Sequence, residues 1–267
     1  MANVLAGHTN SYHTYSLEEA LRGIAKAGYR HVELSAVAGW TEHVPLNAND
    51  SQIAEIRAQL DEHGLTPTVL SGHSDLTTPD GLVAGKKAAD LCVKLGLDTL
   101  ISAIGGHYKE GEDKEAFMSH IDDLGTYCAE RGITIGLEVH GEIMASGQKS
   151  LAVMEEIGRD NVKINYDTAN CELYAGVKAV DDLPGVVPQL VLVHLKDKLG
   201  GKGEWNFPAV GEGHVDFAKV LQILRDGGYT GSYSVEIEFE GEPWPPLSEV
   251  DRAMAASYEQ LRKLGLE

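Results

Sequence analysis

A chain of 267 residues, 43% hydrophobic and 24% charged, has the composition of an ordinary globule with room for a large core. Its net charge of −19 argues against a nucleic-acid backbone or an anionic membrane as the principal partner. Cys92, Cys128 and Cys171 are odd in number, far apart and without a C-x-x-C pair, so reduced, buried thiols of a cytoplasmic protein are expected, not a disulfide frame.

The first residues, MANVLAGHTNSY, lack the basic and then apolar pattern of a signal peptide. No apolar run approaches the ~20 residues of a membrane helix. A first strand is predicted at 4–8. It is followed by a Ser16-x-x-Glu19 capping box that opens a helix with Leu17, Leu21 and Ile24 on one face. Gly28 then ends that helix and a strand at 31–35 begins. The same punctuation, helix then glycine then strand, recurs along the chain. Ile53, Ile56 and Leu60 mark the next helix, Gly64 its end, and 66–71 the third strand. Pro79 sits where a first helical turn tolerates it, and Gly96 precedes a strand at 99–103. Gly132 precedes the fifth strand, 133–140, and Gly158 the sixth, 162–167. The helix after the sixth strand is the least clear and is placed near 177–182. A seventh strand at 190–196 leads into the glycine-rich loop 199–213, and Gly228 precedes an eighth strand at 233–238. Glycine just past a helix takes the left-handed conformation that closes the last turn without a Cβ cost.

Strict alternation of strand and helix means parallel crossovers. Eight of them favour an α/β fold closed as a single (β/α)8 TIM barrel spanning 1–267. An open doubly wound sheet is the alternative, and the lack of G-x-G-x-x-G after the first strand weakens it. In a barrel, loop 199–213 would lie over the C-terminal face, where active sites are built.

Strand parity then singles out four residues. In QLVLVHLKDK, Val191, Val193 and Leu195 share one face, while Leu192, His194 and Lys196 share the other, which turns polar as the strand ends. A buried face of that kind needs partners. The fifth strand brings Glu138 and His140 to the same relative place, the sixth brings Asp167, and the eighth brings Glu236 and Glu238. Three carboxylates and one imidazole (Glu138, Asp167, His194, Glu236) form a hard donor set. It suits Mn²⁺, Mg²⁺ or Co²⁺ better than structural zinc.

The order E-V-H, Y-D-T-A-N, H-L-K-D and V-E-I-E on strands five to eight, with F-P-A-V-G-E-G-x-V-D-F in the long loop, resembles the xylose-isomerase-like TIM barrels. The sugar isomerases and epimerases of that group include ketose 3-epimerases, hydroxypyruvate isomerase and inosose dehydratase. The resemblance runs nearly the whole chain. It implies that Glu138, Asp167, His194 and Glu236 hold one divalent metal, Mn²⁺ first, with Mg²⁺, Co²⁺ or Zn²⁺ as alternatives. It implies further that Glu138 and Glu236 exchange a proton with a carbon beside a carbonyl of a ketose, keto-sugar or sugar phosphate. The chemistry is coherent on its own terms, because an enediolate needs a cation at its oxygens and two carboxylates can serve as base and acid. Glu238 shares the parity of Glu236 and is its rival; the G-x-Y-x-x-E pattern favours Glu236.

A metal-dependent lyase acting on an oxidised sugar would use the same first step and is the second reading. A non-catalytic sugar-binding barrel would keep the fold but should lack a bound metal. An apurinic-site endonuclease is a distant alternative; the charge opposes it. So does Asn170, which stands where many epimerases and the multi-zinc endonucleases of this superfamily carry histidine. The expected partner is a small sugar, with no nucleic acid and no membrane, and homo-oligomers stay open. His73, His107 and His140 lie at strand ends and are candidates to touch substrate. Asn170 is another, and Glu33, Glu142, Lys196 and Glu212 are weaker candidates for hydroxyl or phosphate contacts. Lys196 could instead pair with a metal-bound carboxylate. Trp40 and Trp205 fall in loops on the active face, where a sugar could stack.

Overall fold

In a computed structural model, which describes residues 3–105, 112–241 and 243–266, eight parallel strands close into a barrel in chain order. The strands are β1 (Leu5–His8), β2 (His31–Ser35), β3 (Thr66–Ser71), β4 (Thr99–Ser102), β5 (Thr134–Glu138), β6 (Val162–Asp167), β7 (Leu190–Leu195) and β8 (Ser232–Val235). Closure comes from β1 lying against β8, from Leu5 opposite Tyr233 to Gly7 opposite Val235.

Around the barrel run α1 (Leu17–Ala27), α2 (Asp50–His63), α3 (Pro79–Leu95), α4 (Glu112–Ala129) and α5 (Gly147–Ile157), then the short α6 (Asn170–Ala175) and α7 (Ala179–Asp182). Two further helices, α8 (Phe217–Asp226) and α9 (Leu247–Lys263), complete the ring. Among the described residues no helix is long and apolar enough to cross a membrane.

Local chemistry explains the boundaries. Ser16 and Glu19 form the reciprocal capping box, and Thr78 caps α3 just ahead of Pro79. Gly28, Gly64, Gly96, Gly132, Gly158 and Gly228 all have positive φ, as the punctuation required. Leu21 and Ile24 of α1 and Ile53, Ile56 and Leu60 of α2 are buried in the main core, between barrel and helices. The three cysteines are buried free thiols. Inside the barrel, Val69, Ile101 and Leu192 form a second, smaller cluster with Val191 against it. Gly136 belongs there, since a Cβ on it would lie 2.5 Å from Ile101 Cδ1 and 2.9 Å from Val191 Cγ1.

Three expectations shift. Val191 does not share the face of Val193 and Leu195. β6 pairs Ile164 with Leu190 and then Asn165 with Leu192, so Val191 is the extra residue of a bulge and turns inward. The helix expected at 177–182 is there as α7, but a second one, α6, precedes it from Asn170. Asp167 Oδ1 accepts from the backbone N–H groups of Ala169 and Asn170, and Gly176, in the left-handed conformation, closes the short helix before α7 starts. The ladder of β8 stops at Val235; the Glu236 amide still makes a long bond of 3.4 Å to Leu195 O, and Ile237 N turns away to donate to Ser11 Oγ at 2.9 Å. Glu236 and Glu238 therefore follow the last laddered residue of β8.

The loop after β7 does fold over the C-terminal end. Its organiser is Asp197, a fully buried carboxylate that accepts from the amides of Lys198, Gly211, Gly213 and Val215. Phe207 of the same loop packs on Ala169 and Leu173.

Candidate active site

The C-terminal mouth holds a cavity of about 410 Å³. Glu138, Glu236 and Glu238 line its floor with Lys196, Asn170 and Asn10, while Trp40, Trp205 and Tyr174 form walls. Each site carboxylate is positioned by the end of its own strand, as parity requires.

Ligand atoms of Glu138, Asp167, His194 and Glu236 all lie within 4.8 Å of one another, and all four residues are buried. His194 Nδ1 is 3.3 Å from Glu236 and 3.9 Å from Glu138. Asp167 uses Oδ1 for two backbone amides, at 2.8 and 2.9 Å, and leaves Oδ2 buried without a hydrogen-bond partner. A buried carboxylate oxygen with no hydrogen bond, only the Lys196 ammonium at 3.5 Å, beside two more carboxylates and an imidazole is an environment that a divalent cation completes. The residues therefore fit such an ion. Glu236, not Glu238, belongs to the cluster.

Outer contacts hold these groups. Glu138 accepts from Asn170 Nδ2 at 3.0 Å and lies 2.6 Å from His73 Nε2, whose Nδ1 is 2.9 Å from Ser71 Oγ. Glu236 accepts from Asn10 Nδ2 at 2.9 Å and from Lys196 Nζ at 3.2 Å. The Lys196 ammonium is also 3.5 Å from Asp167 and bonds Glu238. Asn10 Oδ1 accepts in turn from Trp40 Nε1 and Thr41 Oγ1, tying the rim of the cavity to Glu236.

Electrostatics follow from crowding and burial. Burial disfavours charge on Glu236, yet Lys196 and His194 hold its carboxyl well below the usual range. Burial likewise opposes charge on Glu138, and His73 outweighs it, so that its pKa falls. Glu238 goes the other way, burial raising it despite Lys196. Burial alone would neutralise His194 and Lys196; neighbouring carboxylates, Glu33 first for His194 and Asp167 first for Lys196, push both well up. Asp167 is pushed up to about 7, mainly by burial, with Lys196 opposing and the other carboxylates adding.

A cation must displace the proton on Asp167 and one proton of His194. Apparent affinity should therefore fall as pH drops through about 7, by up to roughly tenfold per unit for each displaced proton. Calorimetric titration with Mn²⁺ at pH 6 and pH 8 checks this; equal affinities would contradict it.

The other candidates divide. His73, His140, Asn170 and Lys196 line the cavity, as do Trp40 and Trp205. Glu33 is fully buried, bonded to His194, and does not line it. Glu142 is exposed, and Glu212 is exposed and paired with Arg252. Neither is among the lining residues. His107 lies outside the described residues. Three contributors had no sequence signal of their own: Asn10, in the turn after β1; Tyr174, whose hydroxyl is 2.8 Å from His140 Nε2; and Asp75, at the rim.

A closed parallel barrel with a buried carboxylate–imidazole cluster at its C-terminal mouth defines a class of single-site TIM-barrel proteins able to hold a divalent metal. The family described as "Xylose isomerase-like TIM barrel" matches residues 21–263, and the chain belongs to that family. It is 28% identical over 234 residues to an L-ribulose 3-epimerase of Methylomonas sp. (strain DH-1), covering 82% of this chain and 77% of that one. To a putative L-ribulose-5-phosphate 3-epimerase of Haemophilus influenzae it is 25% identical over 262 residues, covering 91% of each. The crystal structure of a D-allulose 3-epimerase from Methylomonas sp. in complex with D-allulose superposes with a TM-score of 0.74 at 22% identity, over 98% of this chain and 97% of that one. A xylose isomerase-like TIM barrel protein from Mycobacterium smegmatis in complex with magnesium gives 0.78 at 15% identity, over 99% and 98%. At these identities the structures share the fold.

Proposed function

We propose that the protein is a divalent-metal-dependent epimerase or isomerase of an unphosphorylated keto-sugar. The observation that carries this reading is that Glu138 and Glu236, which line one sugar-sized cavity, cluster with Asp167 and His194 buried behind them. The relatives named as an L-ribulose 3-epimerase and a putative L-ribulose-5-phosphate 3-epimerase support the reaction, the first of them with a free sugar.

Glu138, Asp167, His194 and Glu236 would hold the cation, for which Mn²⁺ suits three oxygens and one nitrogen. When bound, it supplies electrophilic stabilisation of the negative charge that develops on the substrate oxygens. The chain's own residues do the rest. Glu138 and Glu236, from strands β5 and β8, are both kept ionised, so one can take a proton from the carbon next to the carbonyl while the other returns one. His73 and Asn170 fix Glu138; Asn10 and Lys196 fix Glu236. Asp167 and His194 take no proton from substrate; they complete the donor set. Trp40 and Trp205, 45% and 40% exposed at the rim, offer faces for the apolar side of a sugar and exclude water once it is seated.

Charge argues against a sugar phosphate. Among the described lining residues, Lys196 is the one lysine or arginine, and its ammonium already serves Glu236, Glu238 and Asp167. Four carboxylates (Asp75, Glu138, Glu236, Glu238) line the same space, so a phosphate would enter a field of its own sign. The test is a panel of free ketopentoses and ketohexoses against their terminal phosphates, with manganese present. Epimerisation of a free sugar with kcat/KM at least ~10-fold above its phosphate is expected, about the effect of 1.4 kcal/mol. Preference for the phosphate would contradict the substrate class, and no conversion of any keto-sugar would contradict the reaction.

Elimination from an oxidised sugar is the second reading. His140 favours it: burial lowers its pKa, its Nε2 meets Tyr174, and its Nδ1 is buried without a partner. That gives the cavity a second, neutral acid–base pair beside the glutamates. A cytoplasmic location fits the three buried free thiols.

A further inference from the structure

Beneath the cavity floor, out of reach of any substrate, a second group of ligating side chains meets: His8 of β1, Glu33 of β2 and His194 of β7, all buried. Three such groups suggest a second cation, but the hydrogen bonds argue otherwise. His8 Nδ1 accepts the backbone N–H of Asn10 at 2.9 Å, so the proton of a neutral His8 ring must sit on Nε2. That nitrogen lies 3.2 Å from Glu33 Oε1, an ion-pair distance without hydrogen-bond geometry. His8 therefore has no lone pair left to give a metal. Glu33 Oε2 lies 3.1 Å and Oε1 3.3 Å from His194 Nε2, on the side of the ring away from Glu138 and Glu236, and Asn165 Nδ2 lies 3.3 Å from both ring nitrogens.

We propose that Glu33 is a positioning residue for the metal site. It faces the Nε2 atoms of two imidazoles, accepts from that of His194 and so fixes the His194 proton on Nε2, which leaves the Nδ1 lone pair directed at the cluster of Glu138, Asp167 and Glu236. The proposal rests on the metal reading above. A carboxylate behind a ligating imidazole sets its tautomer and raises its basicity. Here the carboxylate is itself oriented by His8, which the Asn10 amide holds. Strand β2, which supplies no ligand, thereby sets the chemistry of the ligand on β7.

The substitution Glu33→Gln tests this sharply, because an amide has one accepting atom where the carboxylate has two. His8 can only donate, so the oxygen of the new amide takes the place of Oε1, which faces both rings, and its NH2 takes the place of Oε2, the nearer partner of His194. An NH2 needs an acceptor at Nε2, and that moves the His194 proton to Nδ1, facing the metal. Manganese affinity, measured by calorimetry, should fall about 10–100-fold. Zinc-loaded wild-type protein, which is diamagnetic, should show in ¹H–¹⁵N correlation spectra a protonated His194 Nε2 and a metal-shifted Nδ1. The variant should lose that pattern. A Glu33→Gln protein that binds manganese as tightly as wild type overturns the proposal while the metal reading stands. Should the variant fail to fold, the wild-type spectrum decides alone: His194 bound through Nε2, or with Nε2 bare, overturns it. A wild-type chain that takes up no divalent ion removes both the metal reading and the proposal.

Discussion

Asp167→Ala and His194→Ala are expected to lower divalent-metal affinity by well over ~100-fold, more than loss of an outer contact costs. The reason is geometric. Asp167 Oδ2 and His194 Nδ1 are directed by groups that do not depend on a metal: two backbone amides at the start of α6 in one case, Glu33 in the other. Remove either ligand and no neighbour can replace it, since Lys196 occupies the remaining polar space with a positive charge. Asp167→Asn is the sharper companion. It keeps an acceptor for the amides of Ala169 and Asn170, so the fold should be intact while the charged ligand is gone. Metal content by elemental analysis checks all three. Full occupancy in Asp167→Ala and His194→Ala would mean that the ion sits elsewhere.

Glu138→Gln and Glu236→Gln should each lower kcat by about 10²–10⁴-fold on whichever keto-sugar is turned over, the usual contribution of general acid–base catalysis. Glutamine preserves volume and can still accept from Asn170 or Asn10, but cannot take a proton from carbon. Because both residues also belong to the metal cluster, occupancy must be measured on the same samples and restored with excess manganese. Glu238→Gln is the comparison. Glu238 lies outside the cluster, bonded to Lys196 and 3.4 Å from Asn10 Nδ2, so its loss should weaken turnover less than that of Glu236. A larger defect in Glu238→Gln, with metal still bound, would exchange their roles by one pleat of the strand.

Parity explains why so much of this centre was legible in the sequence. Glu138, Asp167 and His194 lie at or next to the ends of their strands, where alternation holds, and a closed barrel turns one parity inward at one end. Glu236 obeys the same rule although the β8 ladder stops one residue before it. The rule failed where an extra residue entered: the bulge at Val191 reverses one side chain, and nothing in LVLV announces it. It also says nothing beyond a strand end, so Glu142 and Glu212, chosen from loops, stand exposed while Tyr174 and Asp75 reach the cavity. Asn10 and Glu33 show a further limit. Asn10 meets Glu236 across 226 positions only because β1 closes on β8. Glu33 has inward parity but too little height on β2 to reach the cavity, and its register against β1 and β3 sets that height. The H-L-K-D run held one more role: its final carboxylate, Asp197, organises the loop that carries Trp205 and Phe207.

The central claim is that Glu138 and Glu236 remove and return a carbon-bound proton beside a carbonyl. Its most direct test is solvent exchange. Manganese-loaded protein in deuterium oxide, given a free keto-sugar that it converts, should place deuterium on the carbon next to the carbonyl, seen as loss of that proton signal. Exchange should begin before conversion is complete, and it should occur whether the outcome is epimerisation, isomerisation or elimination, since all three share the enediolate. Conversion of the sugar with that carbon's proton fully retained, at every extent of reaction, would contradict the two-carboxylate account.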